Sequence, residues 1–531
     1  MAATGRNAFS FAAANLNDDE RTRFAVGNSF FRRNWVEAPS STAARDGLGP
    51  HFIARSCGGC HVQSGRGAPP DYTKPFDARG EPPIALLLRL SIPGEGPHGG
   101  PRPDPIYGDQ LPTLAVPGVR VEGRIALQVH TLRGTFADGT RYTLRQPRFG
   151  VADLAYGPAS KDLMIGPRLA PQLIGMGLLE SIPEAEILGN AARQAAAPGP
   201  VKGQVNQVWD AFEQRMMLGR FGWKANVATL AHQTAAAFVG DIGITSSRFP
   251  DESCTFTQDD CRAAPRGAKG EVPEIDDRTL GDVVFYQASL APPARRQPGD
   301  AQVVRGRALF EQAQCAACHR PSYVTGDSPL PSFASPALKG QTIWPYTDLL
   351  LHDMGDGLAD GRPDFGASGR HWRTPPLWGV GLIRDVNDHQ QLLHDGRARG
   401  VLEAVLWHGG EADTSRRQVL KMTASERAAL VRFVESLLAA STGRGGAGCR
   451  RRAPRRSRAR PARRRPRPPP APPPRWPPPG RAATAPASAC CASRAGSCAC
   501  TGRSPCRRAR TGCCRNPAAR CSRWHAAPAT G

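Results

Sequence analysis

The sequence predicts a mainly α protein: two helical domains, a β-rich insertion in the first, and a disordered C-terminal tail. Three observations lead there. Residues 205–240, 299–314 and 424–440 read as helices, the last with apolar residues at near-helical spacing. One stretch, 119–145, alternates apolar and polar residues instead, as a half-buried strand does. Composition then breaks abruptly at residue 443.

Taken in order, 1–100 reads as helical and loop-rich, with Gly and Pro as punctuation. The step Asp138-Gly139 lies between two alternating runs and signals a hairpin, the centre of an insertion near 105–160. A Pro-rich stretch, 291–298, separates a first domain (1–290) from a second (295–442). The final helix carries Leu430, Val431, Val434, Leu437 and Leu438 on one side, and Ser425 is placed to cap it.

The chain has 531 residues, and its charge of +23 is not spread evenly. Of 69 Lys and Arg, 22 (all Arg) fall in 443–531, where there is no Asp or Glu; residues 1–442 hold 47 basic and 46 acidic side chains. No nucleic-acid role is therefore expected of the body. The tail has 16 Pro and no Leu, Ile, Val, Phe, Met or Tyr, so it has no apolar area to offset chain entropy. It reads as an out-of-frame product of GC-rich codons; a basic arm for nucleic acid or anionic lipid is the alternative. No run approaches the ~18–20 apolar residues of a membrane span.

Two segments carry chemistry. Cys57-Gly58-Gly59-Cys60-His61 and Cys315-Ala316-Ala317-Cys318-His319 are both CxxCH. In this pattern two thioethers hold haem and the adjacent His ligates the iron. A zinc half-site or a redox dithiol needs no His at that position, and 258 residues separate the copies, which is long for one zinc ribbon. The second copy follows a helical run with Phe310, as in cytochrome c domains. Two covalent c-type haems are expected, held by Cys57, Cys60 and His61 and by Cys315, Cys318 and His319, each in a cytochrome c-like domain. Such attachment implies the periplasm. The opening MAATGRNAFSFAAANL has no basic region followed by an apolar one, so a missed upstream start is expected. Cys254 and Cys261 read as a small-loop disulfide, with a redox-active pair as the alternative.

The segments NSFFRRNWVEAPSSTAARDGLGPHFIARSCGGCHVQSGRGAPP, LLLHDMGDGLADG and LLHDGRARGVLEAVLWHGGEAD resemble bacterial di-haem oxidoreductases of the DUF1111 type. That family has been described both as a thiol oxidoreductase and as a peroxidase. It is similar to the di-haem cytochrome c peroxidases and to MauG. The resemblance covers about 7–440 and implies a peroxidase-like reaction. Hydrogen peroxide or another small oxidant would be reduced, with electrons from an external donor protein.

In the di-haem peroxidases a Trp between the haems is followed by a Gln and an acidic residue at the peroxide site. The resemblance puts Trp223 and Gln233 in the first two places. Asp241 falls near the third, about two residues short and as Asp rather than Glu. His408 takes the place of the second haem's distal ligand, with Met354 as its rival. His352 and His394 are expected to be structural hydrogen-bonding residues. For the first haem, His51 is too close to His61 to be an easy ligand, and His98 is a candidate displaceable one. Related peroxidases also hold one calcium, partly through backbone carbonyls, and Thr374 and Pro376 lie in the matching region. Three other functions stay open: MauG-like oxidation of a partner protein, thiol oxidation through Cys254 and Cys261, and electron transfer alone.

Overall fold

Glycines set the two closest helix crossings. Helix Asp18–Arg32, closed at its start by a reciprocal Asn17/Glu20 capping box, crosses helix Asp277–Ala288 at Gly27, where a Cβ would lie 1.9 Å from the Asp282 carbonyl oxygen. Helix Ala301–Gln312 crosses helix Ala424–Ser436 at Gly306, where a Cβ would lie 2.0 Å from the Ala429 oxygen. Helix Ala301–Gln312 runs directly into the second CxxCH segment, and helix Asp18–Arg32 is the helix that precedes the first in the chain. The computed structural model describes residues 5–42, 44–73, 83–268, 270, 272–294 and 297–437. The tail, 443–531, lies outside the described residues.

The expectation of a mainly α protein does not hold. The structure is 32% helix and 20% strand. The strands lie in six small sheets among the described residues. Two cytochrome c-like domains are likewise not shown. Periodicity marked the few amphipathic helices but not the extended segments between them, which Gly and Pro keep from propagating as helix. Within 205–240 only Leu230–Ala237 is α-helical, running into a wide turn at Phe238–Ile242; Gln207–Asp210 and Arg215–Leu218 pair as a hairpin. The last helix is capped by Thr423, not Ser425. Thr423 accepts from the Glu426 N–H, and Glu426 reaches back.

The hairpin is where the sequence puts it. Strands Arg124–Thr135 and Arg141–Ala152 pair in register, turning through Asp138-Gly139 with Gly139 at φ 84°. Beside it strand Leu86–Glu95 pairs with Pro101–Arg102 and Met164–Leu169. The largest apolar cluster draws on Phe9, Leu179, Leu230, Phe285, Leu350 and Trp378, so both halves of the chain share one core. Backbone bridges Ala12 to Leu290 and Gln204 to Leu351 tie distant segments together. Among the described residues no helix is long and apolar enough to cross a membrane.

Because nothing can yield at the Gly306 crossing except backbone, Gly306→Ala is expected to destabilise the fold by about 1–3 kcal/mol. A lowered midpoint in denaturant unfolding, with unchanged slope, is the reading that checks it.

Candidate functional site

The two CxxCH segments adopt the same arrangement. Cys57–Cys60 forms one helical turn, and the His61 N–H closes it on the Cys57 oxygen at 2.9 Å. At the second copy the His319 N–H bonds the Cys315 oxygen at 3.0 Å. Gly58 lets the first turn lie on the end of the preceding helix, since a Cβ there would be 3.1 Å from the Arg32 Cα. Behind each imidazole stands a Phe from that helix: Phe31 at 6.3 Å from His61, and Phe310 at 6.2 Å from His319.

Each imidazole donates Nδ1–H to a backbone carbonyl, His61 to Pro171 (2.8 Å) and His319 to Tyr346 (2.9 Å). A carbonyl only accepts, so the tautomer is set and Nε2 keeps the lone pair. Burial pushes both imidazoles down to about 4, which keeps that lone pair free of protons at neutral pH. This is the state an iron ligand needs, with the carbonyl in its usual supporting position. Burial also pushes the Cys57 and Cys315 thiols up to about 12 and raises Cys60 and Cys318. Thiols so held are poor nucleophiles for disulfide exchange.

A mostly apolar cavity, part of it open to solvent, runs from Cys315, Cys318 and His319 to Trp223 and Pro171. Its wall contains two buried guanidiniums, Arg66 and Arg373. Arg66 donates Nε–H to the Gln391 oxygen (2.7 Å) and another N–H to the Leu393 oxygen. Arg373 donates to the Gly222 (2.9 Å) and Thr374 (3.3 Å) oxygens. Among the described residues neither forms an ion pair, and burial pulls both down to about 10. Buried cations beside a cavity call for an anionic ligand, and the carboxylates of haem suit them. The residues therefore fit haem.

His408 and Met354 both line this cavity. His408 donates Nδ1–H to the Ala404 oxygen (2.7 Å), so its Nε2 also keeps a lone pair. Trp223 donates its indole N–H to the Leu169 oxygen (2.9 Å), two residues from the carbonyl that holds His61.

Asp241 sits in the wide turn that ends the Leu230–Ala237 helix. Its carbonyl accepts the Ile53 (2.8 Å) and Ala54 (3.1 Å) N–H groups, three to four residues before Cys57. Burial raises its carboxyl above the usual range, against the pull of Arg89 and Gln110. Its charge in turn raises the Cys57 and Cys60 thiols, which places it beside the first motif. The amide that reaches Asp241 is that of Gln110, at 2.9 Å. Gln233 lies two turns earlier, its backbone N–H on the Thr229 oxygen.

The remaining histidines divide. His352 sits between Asp348 (2.9 Å) and Glu411 (2.7 Å), with Cys318 Sγ at 3.7 Å; burial opposes its charge, but the carboxylates hold it well above the ordinary value. His394 is not hydrogen-bonded to Asp395, which is 3.8 Å away; it stacks on Trp372 at 3.7 Å. His51 bonds the Arg120 oxygen (2.8 Å), and His98 stacks on Trp209 at 3.8 Å. The region expected to bind calcium is a poor fit. The Thr374 carbonyl already accepts the Thr347 hydroxyl (2.6 Å), and the Arg373 cation lies against it. No step is derived through calcium. Cys254 and Cys261 are joined as a disulfide.

Sequence reasoning missed Arg66, Arg373, Arg89 and Gln110. Of these only Arg66, a lone cation in the Gly/Pro stretch after the first motif, carried any signal.

Two half-buried, neutral imidazoles, each behind paired cysteines, fit a two-centre haem redox protein. Residues 1–437 match the model of a family described as "Di-haem oxidoreductase, putative peroxidase", and the chain belongs to that family. No curated protein and no solved structure matches it.

The helix that leads to Asp241 starts on a buried acid. Glu180 accepts the Leu230 N–H at 2.8 Å, and burial moves its carboxyl up to about 7. The folded state thus holds a proton that the unfolded chain releases above about 4.5. Its contribution is complete below the unfolded value and disappears as pH rises through about 7. Unfolding free energies at about pH 4 and about pH 8 are expected to show that Glu180→Gln lacks a loss of order 3 kcal/mol present in the parent.

Proposed function

We propose that the chain carries two covalent haems, one on Cys57, Cys60 and His61 and one on Cys315, Cys318 and His319. In this reading it reduces hydrogen peroxide at the first centre. The second passes on electrons from an external donor protein. The observation that carries the reading is the matched pair of half-buried imidazoles, each fixed by Nδ1 with Nε2 unprotonated. When bound, haem supplies the iron that takes up peroxide and exchanges electrons.

The chain's own groups do the rest. His61 Nε2 and His319 Nε2 would hold the two irons. His408, whose Nδ1 is committed to the Ala404 oxygen, would offer Nε2 as a further ligand at the second centre; Met354 is the alternative, since it shares that wall. Asp241 takes the proton from one peroxide oxygen and returns it to the other, the task of a carboxylate whose burial raises its affinity for a proton. In balance, hydrogen peroxide with two electrons and two protons gives two waters. Trp223 relays electrons between the centres, supported by its bond to Leu169, two residues from the carbonyl on His61. Gln233, on the helix before Asp241, is assigned to the peroxide site with it on the family pattern alone. The periplasm is the compartment that suits covalent haem and the Cys254–Cys261 disulfide together.

The test uses the full chain made with haem-attachment machinery. Replacing Cys315 and Cys318 with Ala is expected to halve the covalent haem content. Asp241→Asn is expected to slow the reaction with hydrogen peroxide by roughly 10²-fold while both haems stay attached. Two low-spin centres inert to peroxide in the parent protein would make it an electron carrier and remove the peroxidase reading.

A further inference from the structure

The β-rich insertion brings a second polar group to Asp241. Residues 109–111 run beside strand Leu86–Glu95: Leu90 N–H bonds the Asp109 oxygen (2.7 Å), and Leu111 N–H bonds the Leu88 oxygen (3.1 Å). Alternation then sorts the side chains. Leu88, Leu90 and Leu111 enter an apolar cluster, while Arg89 and Gln110, which face each other across the pair, take the opposite side. On that side Gln110 is 4% exposed.

Its carboxamide can be oriented in one way only. Nε2 donates one hydrogen to the Gly240 oxygen (2.8 Å) and the other to Asp241 Oδ1 (2.9 Å). Both partners are acceptors, so nitrogen and oxygen cannot be exchanged. Oε1 is thereby committed to its present position, where it is buried and has no donor. A buried acceptor without a donor is rare and calls for one. The missing donor is an O–H or N–H group beside the carboxyl of Asp241.

We propose that Gln110 is the specificity-determining residue of the first centre, its Oε1 accepting the outer O–H of hydrogen peroxide. This rests on the peroxidase reading above. The inner oxygen of the peroxide carries the proton that Asp241 takes. The outer oxygen of HOOH carries a second proton, which Gln110 receives as a hydrogen bond. An alkyl hydroperoxide has carbon at that outer oxygen and cannot make the bond. The site therefore selects HOOH over ROOH through a hydrogen bond that only one of them can donate.

The experiment compares hydrogen peroxide with tert-butyl hydroperoxide in the di-haem protein. Gln110→Leu, which also removes the amide bond to Asp241 for either substrate, is expected to lower kcat/KM for hydrogen peroxide roughly tenfold to a hundredfold more than that for the alkyl hydroperoxide. Gln110→Asn, which keeps the amide but withdraws it by one methylene, is expected to fall between and covers the case in which the Leu variant does not fold. A binding titration gives a second readout. Hydroxylamine presents an outer O–H where its O-methyl ether has none. The parent protein is expected to prefer hydroxylamine, and the variants to lose that preference. Equal losses for both hydroperoxides, or an undiminished preference for hydroxylamine, would overturn the proposal and leave Gln110 a structural brace, its Oε1 served by a fixed water. A parent protein that reacts with neither hydroperoxide would instead remove the peroxidase reading itself.

Discussion

Three consecutive residues, Leu169, Ala170 and Pro171, hold the site together. The Pro171 carbonyl sets the tautomer of His61, and the Leu169 carbonyl takes the indole N–H of Trp223. The Leu169 N–H bonds the His394 oxygen at 2.6 Å, while Ala170 bonds Ala85 and accepts from Gly67. One extended segment thus fixes the first CxxCH, the aromatic residue beside it, and a loop from the distant end of the chain. Extended backbone suits this task because its polar groups alternate in direction and can serve neighbours on two sides.

The two centres are built as variations on one unit. A helix crosses its partner at a glycine and sets a Phe from its last turn behind the His of a CxxCH, and that His leans on a carbonyl. What differs is the neighbourhood. At the second motif the space opens into a cavity whose walls hold His408, Met354 and the buried cations Arg66 and Arg373, which make no direct ion pair among the described residues. At the first, Asp241 and the amide of Gln110 stand close by. The same ligand geometry can therefore serve two different tasks, since a haem's reactivity follows its other ligand and its polar surroundings more than its attachment.

Burial supplies the electrostatics throughout. It keeps His61 and His319 neutral, lifts the carboxyl of Asp241, and holds two guanidiniums on backbone carbonyls. None of these effects belongs to a residue type. Each follows from where the chain places the group and from what it denies that group as a partner. The membership in a di-haem oxidoreductase family gives the pattern its redox context.

Local chemistry was legible in the sequence wherever it is also local in the chain. CxxCH is five residues long, and the Asp138-Gly139 hairpin joins adjacent strands. The disulfide closes a loop of seven. These need only short-range geometry, so spacing and turn chemistry revealed them. The mainly α expectation failed because helix has a periodic signature and irregular extended backbone has almost none; Gln207–Leu218 was hidden for this reason. The ion-like roles of Arg66 and Arg373, the stacking of His394 on Trp372 and the meeting of Gln110 with Asp241 were not legible at all. Gln110 and Asp241 are 131 residues apart. Only packing decides that their side chains meet, because contacts at such separation are chosen by the whole core and leave no mark on either neighbourhood in the chain.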